Sequence, residues 1–377
     1  MERVNFNVPT LVGKEIDYVI EAVQARHLSG NGLFSKRCQS MISEVVGGGK
    51  VLLTHSCTAA LEMAAILSNV GDGDEIIMPS YTFTSTANAF VLRGARPVFI
   101  DIREDTLNMD ETLIQQAITS KTKAICVVHY AGVSCDMDVI MEVAERHGLI
   151  VIEDAAQAYH ATWRGRPLGS FGHFAALSFH ETKNIISGEG GALIVNDPKA
   201  WERAEIIWEK GTNRASFYRG EVSKYTWVDV GSSFLPNELT AAFLCAQLEN
   251  SLDITERRLA AWRRYHASFE LLEAKGALRR PIVPQAAGAN GHIYYTLCNE
   301  GADRDAVLRQ IAAYNVSAVI HYVPLHSAPA GVSFGRTAGP MTKTDALSAR
   351  LIRVPLHPGI TLEQQDAVFS AVSAALA

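Results

Sequence analysis

The sequence predicts an α/β fold, with a large domain built on a mainly parallel seven-stranded sheet and a smaller α/β domain after it. Three observations lead there. Short apolar runs alternate with stretches of helical spacing up to residue 195. The runs are apolar on consecutive positions, as strands buried on both faces are. The chain has 377 residues, more than the ~250–300 at which a single core stops growing.

The strand candidates are Val51–Thr54, Glu75–Met78, Pro97–Asp101, Ala124–His129, Leu149–Glu153, Ala175–Phe179 and Gly191–Val195. Each is bounded by Gly, Pro or charge. Helix candidates lie between them at Thr58–Ser68, Ser85–Leu92, Asp110–Ile118 and Asp136–His147. Strands that alternate with helices imply crossover connections and a parallel sheet. The pattern changes near residue 240. Asn237–Gln247 reads as an Ala/Leu-rich helix, and Ile254–Ala274 as a long helix with Arg257, Arg258, Arg263 and Arg264 on its polar side. Strand-like Ile293–Cys298 and Ser317–His321 and helices Arg304–Tyr314 and Leu362–Ala375 complete the chain. The expected division is a large domain over 1–249 and a small one over 250–377.

Composition narrows the function. With 48% hydrophobic and 20% charged residues the chain is globular, and a net charge of −6 gives no basic field for nucleic acid or anionic lipid. Any anionic substrate needs a local cluster of cations. The six cysteines form no C-x-x-C pair, so neither a metal site nor a disulfide framework is expected, and a reducing compartment suits them. The first residues carry Glu2 and Arg3 and no apolar core, and no apolar run reaches the ~18 residues of a membrane helix. A cytoplasmic enzyme without membrane or nucleic-acid partners is the expectation.

Four segments carry chemistry. Leu149–Asp154 is a strand run ending on a carboxylate, where open α/β sheets place their ligand crevice; an N-cap or a structural ion pair would use the same residue. Lys183 follows the run Ala175–Phe179 and precedes Ser187-Gly-Glu-Gly-Gly191. Lysine forms Schiff bases when its pKa is depressed, although a lone lysine is ordinarily a surface residue. The glycines fit no strand–turn–helix phosphate loop and read in part as a hairpin turn. Thr54-His-Ser-Cys-Thr58 feeds a helix, and its hydroxyls and N–H groups suit either a phosphate or a simple cap. Pro79-Ser-Tyr-Thr-Phe83 offers an aromatic just past a strand, able to stack on a ring or to pack in a core. All four follow strands at one end of the expected sheet.

In combination these blocks resemble the DegT/StrS-type nucleotide-sugar aminotransferases. The resemblance runs from Gly30-Asn-Gly-Leu-Phe34 to His321-Tyr-Val-Pro-Leu-His326 and is strongest at Glu153-Asp-Ala-Ala-Gln157, Ser178-Phe-His-Glu-Thr-Lys-Asn184 and Gly188-Glu-Gly-Gly191. It implies an aspartate-aminotransferase-like fold (PLP fold type I). It also implies pyridoxal 5′-phosphate (PLP) as cofactor, with pyridoxamine 5′-phosphate between the two halves of the reaction. By resemblance Lys183 is the Schiff-base lysine and Asp154 the partner of the pyridine nitrogen. Gln157 lies near the ring's phenolic oxygen, and Phe83 stacks on the ring. Cys57, Thr58 and Ser178 hold the phosphate, with Ser233 reaching in from the partner of a homodimer. Many relatives carry Gly at the position of Cys57 and Asn at that of Ser233. Family members that dehydrate sugars carry His in place of the lysine, and Lys183 is intact.

Lys210-Gly-Thr-Asn213, Lys224-Tyr-Thr-Trp227 and Gly231-Ser-Ser-Phe234, with His180–Asn184, narrow the resemblance. It is to members that aminate C4 of dTDP-4-keto-6-deoxyglucose with glutamate and serve surface-glycan biosynthesis. The alternatives are a C3-specific enzyme or one of other stereochemistry, and a PLP-retaining regulator without turnover. For the substrate, Arg214, Arg219 and Lys224 could meet a diphosphate, and Tyr225, or Tyr322 between His321 and His326, a base or sugar. A solvated loop face accounts for each of these equally well. Arg353, on the apolar run Leu351–Leu356, could instead meet the donor carboxylate.

Overall fold

The computed structural model describes residues 3–376, so Glu2 lies outside the described residues. All seven strand runs are strands of one sheet: β1 (Lys50–Thr54), β2 (Glu75–Pro79), β3 (Arg96–Ile100), β4 (Thr122–Val128), β5 (Ile150–Asp154), β6 (Phe174–Ser178) and β7 (Gly191–Val195). Their order is β1-β7-β6-β5-β4-β2-β3, and a two-residue strand not anticipated, Arg336–Thr337, joins the edge beside β3. β2 through β6 pair in parallel, whereas β7 runs antiparallel to both β6 and β1. One reversed strand in a parallel sheet is the topology's distinguishing feature.

The alternation of side chains explains why the runs are apolar throughout. Leu53, Ile77, Ile125, Val127, Val151, Leu177 and Ile194 point into one core layer, and Leu52, Ile76, Met78, Cys126, Ile152, Ala176 and Leu193 into the other. The helices Leu33–Val45, Met137–His147 and Glu238–Glu249 cover the first layer. Cys57–Leu67, Thr84–Val91 and Trp201–Trp208 cover the second. Polar residues set several helix starts. Ser56, Asp136 and Asn237 accept N-cap hydrogen bonds from Ala59, Val139 and Thr240. Asp110 likewise caps, but the expected helix Asp110–Ile118 is a 3₁₀ turn, Glu111–Leu113, followed by one α turn, Ile114–Ala117.

Beyond residue 250, Leu278–Arg279, Tyr294–Cys298 and Leu351–Val354 form a separate antiparallel sheet. Helices Ser251–Ser268, Arg304–Ala313 and Leu362–Ala375 pack on it around Tyr265, Phe269, Tyr294, Ile311 and Val368. Val4 joins this cluster and bridges Val316, while Gln247 Nε2 donates to the Thr10 carbonyl. The N-terminal segment thus joins the second core cluster to the helix Glu238–Glu249 on the large sheet. No helix among the described residues is long and apolar enough to cross a membrane.

Three further expectations are corrected. The helix Ile254–Ala274 breaks at Phe269 into Ser251–Ser268 and Glu270–Ala274. Ser317–His321 makes only the single bridge Val319–Arg353 and is otherwise irregular. Arg258 is not on a polar face. Ile254, Arg258, Ala261 and Tyr265 lie on one buried stripe, and Arg258 is 2% exposed. Its guanidinium donates to the carbonyls of Gly291, His292 and Leu356, so the charge is held by backbone dipoles instead of water. Arg258→Ala would leave three carbonyls without their donor and a hole beneath the second sheet. A loss of about 3 kcal/mol is expected, read as a lower apparent melting temperature and urea midpoint.

Candidate active site

Strand ends build the site. β1 ends at Thr54, β5 at Asp154 and β6 at Ser178, all at the same edge of the sheet. Because β7 is reversed, its first residue, Gly191, lies there too, opposite both Thr54 and Ser178. A Cβ on Gly191 would sit 2.5 Å from the Cys57 nitrogen and from the Ser56 carbonyl carbon. Only glycine lets the N-terminus of the helix Cys57–Leu67 come this close. Between Ser178 and Gly191 the chain closes on itself through Phe179 N–H to Gly190 O and Glu181 N–H to Gly188 O. The hairpin reading of the glycines is therefore correct, and Lys183 is carried within that closed loop.

These ends open onto a cavity of about 500 Å³, a volume suited to a small-molecule ligand. Lys183, Asp154, Gln157, Ser178, Cys57, Thr58 and Phe83 all line it. So do His321 and Tyr322 from the C-terminal residues. Phe6, Ser85 and His292 line it as well and were missed from sequence; Arg353, named only as an alternative, does too.

The cofactor-phosphate candidate Ser233 and the other substrate candidates lie elsewhere. Ser233, Arg214 and Arg219 line a separate cavity of about 660 Å³. Arg219 is engaged by Glu205 and Glu221, both at 2.8 Å, and Arg214 by Glu209 at 3.7 Å. Lys224 and Tyr225 are exposed, the Tyr225 ring 5.8 Å from that of Phe217. His326 is turned away, with its ring nitrogens 2.8 Å from Ser80 Oγ and 3.3 Å from Asp345 Oδ1.

A family model described as the DegT/DnrJ/EryC1/StrS aminotransferase family matches residues 9–373. The chain belongs to that family. The DegT/StrS-type relatives include the spore coat polysaccharide biosynthesis protein SpsC of Bacillus subtilis, 33% identical over 97% of this chain and 95% of its own. GDP-perosamine synthase of Caulobacter vibrioides is 32% identical over 100% and 99%. Among solved structures, the putative sugar aminotransferase Spr1654 of Streptococcus pneumoniae in its PLP form superimposes with a TM-score of 0.91 at 26% identity, over 99% of this chain and 98% of that one.

In this DegT/StrS aminotransferase the cavity's charges stand apart from those of the framework. Lys183 makes no side-chain hydrogen bond or ion pair among the described residues, and burial lowers the pKa of its amine. Asp154 is buried and accepts one bond per oxygen, from Thr86 Oγ at 2.7 Å and Ala156 N–H at 3.2 Å. Burial raises its pKa against those two bonds, and about half of its acceptor capacity is left over. Its neighbour Glu153 points the other way. It accepts from Gly169, Phe171 and Gly172 N–H and lies 3.0 Å from His129, and His129 with these N–H groups outweighs the cost of burial to hold its pKa low. Gln157 accepts from Ala131 N–H at 2.8 Å and donates to Tyr322 OH at 3.1 Å, so it joins the two walls. Thr58 and Ser85 share a hydrogen bond of 2.7 Å beside the helix start.

Gly191→Ala would force the Ser56–Cys57 backbone away from β7. An overpacking cost of about 1–3 kcal/mol is expected, measured as a fall in melting temperature. An alanine variant as stable as the parent would show that the close approach is not required.

Proposed function

We propose that the chain moves the amino group of glutamate to the C4 keto group of dTDP-4-keto-6-deoxyglucose, giving dTDP-4-amino-4,6-dideoxygalactose. At the coarser level the chain is a PLP-dependent nucleotide-sugar aminotransferase. The observation that carries the reading is the unpartnered Lys183 amine in one cavity with the half-satisfied carboxylate of Asp154. The choice of sugar is supported by the blocks His180–Asn184, Lys210–Asn213, Lys224–Trp227 and Gly231–Phe234.

The cavity fits PLP residue by residue. Lys183 would hold it through its amine, and Asp154, with acceptor capacity to spare, would pair with the pyridine nitrogen. Cys57 and Thr58 at a helix start, with Ser178, would hold the phosphate. Phe83, exposed at the cavity rim, would cover a ring face, and Gln157 would lie near the phenolic oxygen. When bound, PLP supplies an electron sink for the pair left as a proton leaves the donor carbon.

The remaining chemistry belongs to the protein. Lys183 Nζ takes the proton from the glutamate Cα as a base and returns it as an acid. Its lowered pKa enlarges the neutral fraction available for that work at pH 7. Asp154 stays ionised when its free acceptor sites receive a cationic N–H. Tyr322, hydrogen-bonded to Gln157, and His321, whose Nδ1 lies 3.1 Å from Tyr130 OH, are fixed where the sugar would lie. Ser233, Arg214 and Arg219 would serve a neighbouring site in a homodimer with shared active sites. The same reading places a PLP-binding domain over 1–249, a smaller domain over 250–377, and the enzyme in the cytoplasm.

Lys183→Ala is expected to lower turnover by at least about a thousand-fold, since it removes both the anchor and the proton carrier. Proton NMR of the product should show the amine at C4 in the galacto configuration. Turnover of Lys183→Ala at the parent's rate would sink the mechanism. Amination at C3, or preference for a GDP-linked over a dTDP-linked 4-keto sugar, would sink the substrate assignment alone.

A further inference from the structure

Lys183 is followed by Asn184, whose buried side chain belongs to a chain of amides. Asn184 Nδ2 donates to the Asn290 carbonyl at 3.1 Å, and Asn184 Oδ1 lies 2.9 Å from His292 Nδ1. Asn290 is itself fixed. Its Nδ2 donates to the carbonyls of Gln157 and Tyr159, and its Oδ1 accepts from His292 N–H. Gly132, at φ +74°, leaves room for this amide, since a Cβ there would run into Asn290 Oδ1. Arg258 holds the carbonyls of Gly291 and His292.

These bonds settle the tautomer of His292. A carbonyl only accepts, so the Asn184 amide turns its NH2 to Asn290 and its oxygen to His292. His292 Nδ1 therefore carries the proton, and Nε2 keeps a lone pair. Nε2 makes no hydrogen bond among the described residues, and the ring lines the cavity that holds Lys183. Burial pushes the His292 pKa well down, and Lys183 adds to this ahead of Arg258, Arg353 and His321. Arg258 touches the His292 backbone, so the stronger effect of Lys183 sets its amine close to the ring.

We infer that His292 Nε2 is the acceptor for the Lys183 amine whenever that amine is free of the cofactor, which makes His292 a positioning residue. The inference rests on the aminotransferase reading of the cavity and adds a residue to it. As base, Lys183 Nζ takes a proton from the glutamate Cα and becomes an ammonium, which it holds until the proton is given back. In a buried cavity that ammonium has lost its water. One of its three N–H groups donates to Nε2, and two remain to face the substrate. The Asn184 side chain ties the ring to the residue next to Lys183, so the two partners keep their spacing. A ring that only clasped the loop would use Nδ1 alone.

Two substitutions separate the ring nitrogens. His292→Asn keeps a donor at the place of Nδ1 and removes the acceptor at Nε2, and His292→Gln does the reverse. In the full chain freed of cofactor, the rate of PLP capture is followed by absorbance across a pH series and reads the apparent pKa of the Lys183 amine. A hydrogen bond to the ammonium favours the charged form, so loss of the acceptor lowers that pKa. His292→Asn is expected to lower it by about one pH unit, and His292→Gln by less. Besides burial, Cys57, Asp154 and Arg353 act on the amine, and neither substitution touches them. In the loaded enzyme the glutamate half-reaction should slow about ten-fold in His292→Asn and less in His292→Gln. Should His292→Asn not fold, acylation of His292 by diethyl pyrocarbonate carries the test. Read by peptide mass spectrometry on the cofactor-free chain, it should rise several-fold in Lys183→Met, where Nε2 has lost its partner. An unchanged pKa in His292→Asn, equal values in His292→Asn and His292→Gln, or acylation indifferent to Lys183 would overturn the assignment. PLP capture needs no amino donor, so a parent that captures PLP and does not react with glutamate would overturn the aminotransferase reading alone.

Discussion

The close approach of Gly191 to the Ser56–Cys57 backbone is the contact on which the rest of the site depends. A strand that ran parallel with its neighbours would place its last residue at this edge, and the chain would leave the cavity. The reversed β7 instead places its first residue between Thr54 and Ser178. That reversal has two consequences. It draws a helix start against the sheet at the point where an anion is best met by N–H groups. It also obliges residues 179–190 to turn back at the cavity edge, and Lys183 is presented from within that short closed loop.

Buried charge is handled in two different ways in this molecule. In the framework the buried charges are largely answered, although Arg258 Nη1 and Glu111 Oε2 keep no partner among the described residues. Glu238 accepts from the N–H groups of Gly32, Phe34 and Ser35, Glu153 from three N–H groups beside His129, and Arg258 gives to three carbonyls. In the cavity Lys183 and Arg353 have no such answer, and Asp154 has half of one. Leaving an ionic group buried and unpaired costs several kcal/mol. A fold that satisfies its buried charges elsewhere and leaves them open in one cavity has reserved that cavity for ligands carrying the complementary groups.

Much of this was legible in the sequence, and the gaps have physical causes. Strand runs buried on both faces announce themselves, as do helices begun by Asp136 or Asn237. Strand direction does not, because an apolar run reads the same either way; only the glycines at 187–191 hinted that β7 turns back. The helix Glu15–Gln24 was passed over although Ile16, Ile20 and Val23 recur at helical spacing, and that exposed stripe is not the face it buries, which carries Tyr18, Val19 and Ala22. Arg258 was misplaced because charge was read as a solvent face, although its spacing from Ile254, Ala261 and Tyr265 put it on the buried stripe. In the site, Asp154, Lys183 and Thr58 could be found because each closely follows a strand. Phe6 and His292 could not, because they reach the cavity from the N-terminal segment and the loop before the C-terminal strand Tyr294–Cys298, far off in sequence. Arg214 and Arg219 were read from charge and the polar stretch around them, and within one chain they line another cavity beside acidic neighbours.

The two walls of the cavity therefore answer to different constraints. The strand-end wall is tied to the topology: moving Asp154, Ser178 or Cys57 means moving β5, β6 or the helix packed on Gly191. The opposite wall, with His321, Tyr322 and Arg353, rests on irregular chain and a short strand, steadied by Tyr81 and Tyr130. Gln157 adds a hydrogen-bonded link between them, through Ala131 N–H on one side and Tyr322 OH on the other. A family that keeps one cofactor chemistry and changes its sugars can vary the second wall without disturbing the first. On this architecture the strand ends are fixed by the sheet that the reversed strand completes, and the residues of the opposite wall are free to vary.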